Sequence, residues 1–173
     1  MERGLVQVYT GNGKGKTSAA LGLALRALGR GLKVYVIQFI KGDRDYGEII
    51  MAREIPGLEM VTYGRGKFID EESRTQKDAE LAQEALEHAR EIITSGNHDV
   101  VILDEVNIAM SLGLLEPRSV IQLARDKPPD IELIMTGRGA PDEIIDIADL
   151  VTEMREVRHP YGKGVKARRG IEY

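Results

Sequence analysis

The stretch Thr10-Gly11-Asn12-Gly13-Lys14-Gly15-Lys16-Thr17-Ser18 constrains this chain more than any other. It follows an apolar strand pattern, Leu5-Val6-Gln7-Val8-Tyr9, and opens a helical one running from Ala19 to Leu28. A glycine-rich turn between a strand and a helix is the context of a phosphate-binding loop. Glycines let the backbone curl with its N–H groups inward, the helix adds a partly positive N-terminus, and Lys16 sets an ammonium against the phosphates. Thr17 supplies a hydroxyl suited to Mg²⁺. Thr10 stands where the G-x-x-x-x-G-K-[ST] pattern has its first glycine, the one departure from it. A flexible Gly/Lys surface turn is the plainer alternative, and it leaves the close strand and helix flanks unexplained.

A chain of 173 residues with 42% hydrophobic content suits one domain, residues 1–173, with a two- or three-layer core. The net charge of −4 gives no general electrostatic ground for a nucleic-acid or membrane partner. Arg155, Arg158, Lys163, Lys166, Arg168 and Arg169 nonetheless gather near the C-terminus. They form either a solvated tail or one that folds over an anionic ligand or meets a partner. The absence of cysteine excludes disulfides, thiolate metal sites and cysteine nucleophiles. His88, His98 and His159 are scattered, without metal-ligand spacing. No apolar run approaches the ~20 residues of a membrane span. Met1-Glu2-Arg3 leads directly into the first strand pattern, so no signal sequence and a cytoplasmic location are expected.

Leu21, Leu25 and Leu28 recur at helical spacing beside Ala24 and Ala27, and Gly29-Arg30-Gly31 stops that helix. Residues 33–40 read as a second strand, apolar enough to be covered on both faces. In open α/β sheets the carboxyl ends of the strands carry the ligand site, which makes Gln38 and Lys41 candidate contacts. A plain exposed lysine in the turn Lys41-Gly42-Asp43 is the alternative. A short helix is predicted over Gly47 to Arg53, a third strand over residues 59–63, and a flexible basic loop over Gly64-Arg65-Gly66-Lys67-Phe68. An amphipathic helix from about Glu71 to Thr94 carries a core stripe of Leu81, Ala82, Ala85, Leu86, Ala89, Ile92 and Ile93. Pro117 starts a further helix at a position where no N–H is needed, and Pro128-Pro129 breaks it. Residues 131–135 read as a strand ending in Thr136-Gly137-Arg138-Gly139. A helix opening at Pro141-Asp142-Glu143 and a strand over 148–154 complete a parallel, doubly covered sheet. The fold class is α/β, a single P-loop NTPase-like domain.

The second signal is Val100-Val101-Ile102-Leu103-Asp104-Glu105, a buried strand that delivers carboxylates to its carboxyl tip. Alone the pattern is common. Beside the loop it reads as the second half of a phosphate site, with Asp104 and Glu105 joining Thr17 in holding Mg²⁺ or Mn²⁺.

Gly11-Asn12-Gly13-Lys14-Gly15-Lys16-Thr17, Gln38-Phe39-Ile40-Lys41-Gly42, Leu103-Asp104-Glu105, Thr136-Gly137-Arg138-Gly139, Ala148-Asp149-Leu150-Val151-Thr152-Glu153, Gly164-Val165-Lys166-Ala167 and Gly170-Ile171-Glu172 occur in this order. Together they resemble the P-loop type of corrinoid (cob(I)alamin) adenosyltransferases across nearly the whole chain. The resemblance implies that a Co(I) corrinoid takes the 5′ carbon of ATP and that inorganic triphosphate leaves. It implies ATP held reversed relative to ordinary P-loop enzymes, with the ribose carbon facing the nucleophile. On it, Thr10 to Ser18, Arg138, Lys41 and, more weakly, Arg26 contact ATP. Lys16, Thr17 and Glu105 serve catalysis, and Thr17, Asp104 and Glu105 serve the metal. Phe68 is the corrinoid contact it suggests in the loop after the third strand, where other members carry a pair of aromatics. Some members also begin with a helical extension that helps cover the corrinoid. A homodimer and a reduced flavoprotein as electron donor are further implications, with no nucleic acid and no membrane.

Two other readings are open to the same residues. One is an ordinary P-loop ATPase or kinase in which Glu105 is the base that orients water. The other is a nucleotide-gated binder of nucleic acid or protein working through the basic tail, against which the acidic net charge argues.

Overall fold

In the computed structural model, which describes residues 2–42, 46–66 and 69–172, strands and helices follow the alternation expected of a parallel sheet. The strands are β1 (Val6–Thr10), β2 (Val34–Ile40), β3 (Leu58–Gly64), β4 (Val100–Asp104), β5 (Glu132–Thr136) and β6 (Leu150–Glu153). They form one six-stranded sheet in the order β3-β2-β4-β5-β1-β6. Every ladder is parallel. The helices are α1 (Lys16–Leu28), α2 (Gly47–Ala52), α3 (Gln76–Ser95), α4 (Val106–Ser111), α5 (Pro117–Asp126) and α6 (Asp142–Ile147), followed by a 3-10 turn at Pro160–Lys163.

Side chains alternate across each strand, and the two faces meet different partners. Tyr35, Ile37, Phe39, Val101, Leu103, Leu133 and Met135 pack with residues of α3, α4, α5 and α6. Val34, Val36, Val100, Ile102 and Ile134 pack with Ala20, Ala24 and Ala27 of α1. The buried stripe of α1 is therefore alanine. Leu25, one of the leucines at helical spacing, is 65% exposed. Small side chains let the helix axis approach the sheet, with Leu21, Leu23 and Leu28 half-buried at the rim of that contact and Leu25 turned outward. The covering is also incomplete, because every residue of the edge strand β6 is exposed.

The remaining differences from the sequence have local causes. Helix α3 starts at Gln76, later than the predicted Glu71, because Thr75 and Asp78 make a reciprocal capping box. The residues before it form a turn in which the Ser73 N–H and hydroxyl both donate to Asp70. Helix α4 was not predicted, since residues 106–111 carry no turn residue to separate them from the strand before. Arg65, expected in a flexible basic loop, is fixed by paired bonds of 2.7 Å to the Asp78 carboxylate. Among the described residues no helix is long and apolar enough to cross a membrane.

The Arg65 guanidinium, helped by Thr75, holds the Asp78 carboxyl at about 2, below its usual range. A carboxyl lowered by folding adds stability above its unfolded value and loses it as pH falls through the folded one. Asp78→Asn should lower the unfolding free energy near neutral pH. The gap from the parent should shrink as pH drops from about 4 to about 2 in urea titrations.

Candidate active site

The site is assembled at the carboxyl ends of β1, β2, β4 and β5. Gly15, at φ 118, turns the chain in a region closed to most side chains and starts α1 directly behind it. The far side of the loop is held by the Gly13 N–H, which donates to the Met154 carbonyl at 2.6 Å just beyond β6. The Lys16 ammonium donates to the Gly11 and Gly13 carbonyls, each at 2.8 Å. Burial pulls that ammonium below its usual range, while the Glu105 and Asp104 carboxylates act upward and Arg138 downward.

Asp104 sits at the centre and is 1% exposed. Its Oδ1 accepts from the Thr17 hydroxyl at 2.8 Å and the Thr136 hydroxyl at 2.6 Å. Its Oδ2 accepts from the Lys41 ammonium at 2.9 Å and the Gln38 amide at 3.1 Å. Thr136 also accepts the Glu105 N–H at 3.0 Å, so the end of β5 orients both acidic residues. Glu105 has φ 64, an uncommon backbone for a non-glycine residue, and it aims the side chain into the cavity. Burial, then the neighbouring Asp104, raises its carboxyl above the ordinary range, opposed by Lys41, Lys16 and Arg138. Its Oε2 is buried with no hydrogen-bond partner among the described residues.

A cavity of about 480 Å³ opens over these groups. Gly13, Lys14, Gly15, Lys16, Thr17 and Ser18 form its floor, and Lys41, Glu105 and Arg138 stand in its wall. The structure thus brings together most of the residues read as ATP contacts. Thr10, Gly11 and Asn12 build the loop without lining the cavity. Thr10 closes β1, and its hydroxyl accepts the Ala140 N–H at 3.2 Å, a use for a side chain where the motif has glycine. Arg26 is left apart: it lies exposed in the last turn of α1, about 15 Å along the helix from Lys16. Phe68 lies outside the described residues.

Sequence reasoning passed over Glu48, Ile108, His159, Ile171 and Glu172, which also line the cavity. The tail does reach the loop, though through an acidic residue. Glu172 accepts from the Lys14 ammonium at 2.7 Å and from Arg168, and these cations hold its carboxyl at about 2. Thr136 could have been singled out by the rule that flagged Gln38 and Lys41, since it too ends a strand.

Residues 2–173 match the model of a family described as ATP:corrinoid adenosyltransferase BtuR/CobO/CobP. The chain belongs to this family. A protein named corrinoid adenosyltransferase from Escherichia coli (strain K12) is 40% identical over 172 residues, covering 99% of this chain and 87% of the relative. One of the same name from Pseudomonas aeruginosa is 42% identical over 175 residues, covering 99% and 85%. Corrinoid adenosyltransferase CobA of Salmonella typhimurium is 39% identical over 172 residues, covering 99% and 87%.

A loop of this kind should hold inorganic tripolyphosphate by itself. Lys16→Ala should weaken that binding by about 10- to 100-fold, the worth of one hydrogen bond to a charged group. Isothermal calorimetry on parent and variant measures it.

Proposed function

We infer that this chain, as a member of the ATP:corrinoid adenosyltransferases, transfers the 5′-deoxyadenosyl group of ATP to the cobalt of a reduced Co(I) corrinoid and releases triphosphate. The setting is cobalamin biosynthesis and corrinoid salvage. Family membership along residues 2–173 carries the reaction, and the cavity supplies a physical account of it. The leaving group is a polyanion. Groups that hold it more strongly as its charge grows lower the barrier, whereas equal grip before and after would only tighten binding. Lys16, the N–H groups of Lys14 to Ser18, the N-terminus of α1 and Arg138 would all bear on that charge.

The residues present fit a divalent cation. Among the described residues no group of His, Cys, Asp and Glu could hold a metal alone. Mg²⁺, however, takes one or two carboxylates and completes its sphere with substrate phosphates and water. Thr17, Asp104 and the unpartnered Oε2 of Glu105 offer hard oxygen donors of that kind. Bound there, Mg²⁺ or Mn²⁺ would neutralise part of the triphosphate charge. Glu105 would then serve the metal and not water, because an electron-rich cobalt needs no base to remove a proton. A homodimer, a reduced flavoprotein as source of the Co(I) electron and a cytoplasmic setting belong to this proposal through the family resemblance. Phe68 belongs to it as a corrinoid contact.

ATP with a chemically reduced corrinoid is expected to give a light-sensitive adenosylcorrinoid and intact triphosphate in the phosphorus-31 spectrum. ADP and orthophosphate with an unchanged corrinoid spectrum would point instead to an ATPase, with Glu105 as its base.

A further inference from the structure

Two cavities meet at the strand tips. Beside the polyphosphate cavity lies a second one of about 270 Å³, more apolar, lined among the described residues by Ile40, Tyr46 and Ile69. Lys41, Glu105 and Ile108 line both. On the adenosyl-transfer reading, on which this inference rests, the C5′–O5′ bond must lie where a polyanion site gives way to the site of its attacker. Among the described residues, Lys41 is the cation on that shared wall. Lys16 and Arg138 face only the larger cavity.

The backbone beneath Lys41 is bent at a cost. Ile40, a β-branched residue, has φ 70, and the Lys41 N–H bonds the Phe39 carbonyl at 2.7 Å. This is a γ-turn of the rare, strained hand. Such conformations cost free energy and gather at functional sites where the surroundings enforce them. The bend lies hard against the end of β3, where a Cβ on Gly64 would stand 1.9 Å from the Ile40 carbonyl oxygen, so only glycine fits there. The bend ends β2 abruptly and lays Lys41 beside Asp104, with Glu48 at 3.9 Å and the Tyr46 ring centroid at 5.9 Å. Its ammonium is ion-paired with the Asp104 carboxylate at 2.9 Å. An ammonium has three donors, and with Asp104 and the glancing Glu48 contact it keeps an N–H for the cavity.

We propose that Lys41 is a catalytic residue for the leaving group: anchored on Asp104, it donates an N–H to the α-phosphate at the ribose end of the triphosphate. The electron pair of the cobalt nucleophile forms the Co–C5′ bond. The C5′–O5′ pair departs with O5′ onto triphosphate, beside the Lys41 charge, and no proton changes hands. Lys16 and the loop hold the rest of the chain of phosphates.

The test is steady-state adenosylation of a chemically reduced corrinoid with ATP and with each α-thio diastereomer of ATP, for the parent, Lys41→Met and Lys41→Arg. Lys41→Met should lower kcat about 10²-fold, as loss of one donor to a developing oxyanion does. KM for ATP should move less than about threefold. The parent's preference between the Rp and Sp α-thio diastereomers should collapse. Lys41→Arg retains a cation for Asp104, so it carries the test if Lys41→Met is unstable. It should show intermediate kcat and an altered diastereomer preference, because a planar fork cannot reproduce the ammonium's position. A counter-ion serving only Asp104 would change the melting temperature and leave that preference intact. Retained kcat in Lys41→Met, or unaltered preference in Lys41→Arg, overturns the proposal while the parent's alkylation upholds the reaction. Absence of alkylation by the parent overturns both.

Discussion

A buried carboxylate organises this structure. Asp104 is almost inaccessible and is held by the Thr17, Thr136, Gln38 and Lys41 donors. An isolated charge in that position would cost several kcal/mol, and losing one partner of such a set typically costs about 3–5. Each donor comes from a different element: Thr17 from α1, Gln38 from β2, Lys41 from the turn after it, Thr136 from β5. Satisfying one aspartate therefore fixes the relative position of the phosphate loop and three strand ends. The order of strands makes this possible, because β4 lies between β2 and β5, and β5 lies next to β1.

Strain is concentrated around that same point. Ile40 and Glu105 are the non-glycine residues with positive φ among those described, and they flank the cavity from neighbouring strands. One bends the chain so that Lys41 meets Asp104, and the other turns the Glu105 side chain off the axis of β4. The cooperative packing of the sheet, with Val101, Leu103, Ile37 and Phe39 fully buried beneath, makes such conformations affordable. A loosely packed scaffold would relax both, and the cations and carboxylates would fall out of register.

What was legible in the sequence follows from range. The loop, the alternation of strands and helices and the acidic tip of β4 are local patterns whose meaning depends on neighbours a few residues away, and they appear where expected. Lys14 to Ser18, Lys41, Glu105 and Arg138 converge on one cavity because each ends a strand or opens the helix behind the loop. Apart from the delayed start of α3 and the missed helix α4, the failures are tertiary. Nothing local says that Ala20, Ala24 and Ala27 rather than Leu25 face the sheet; that follows from how closely α1 must approach it. Nothing local says that Glu172 crosses to Lys14, a contact between opposite ends of the chain. The positive φ of Ile40 was invisible because the residue type argues against it, and the neighbour it lies against, Gly64, is distant in sequence.

The chemistry explains why cations are spread along the cavity and not gathered at one phosphate. In phosphoryl transfer, charge shifts within the terminal group, and stabilisation is needed there. When the C5′–O5′ bond breaks, charge arises at the opposite end and is shared by the whole triphosphate. A site for that reaction needs grip at the remote end, to hold the substrate, and a fixed cation at the ribose end, to respond to the bond that breaks. Lys16, tied to the loop carbonyls, suits the first task because it is held at the loop's centre whether or not the bond has broken. Lys41, tied to Asp104 on the wall between the two cavities, suits the second. The same division explains why a raised Glu105 carboxyl does not make this site an ATPase. A general base needs a proton to take, and a cobalt nucleophile brings none.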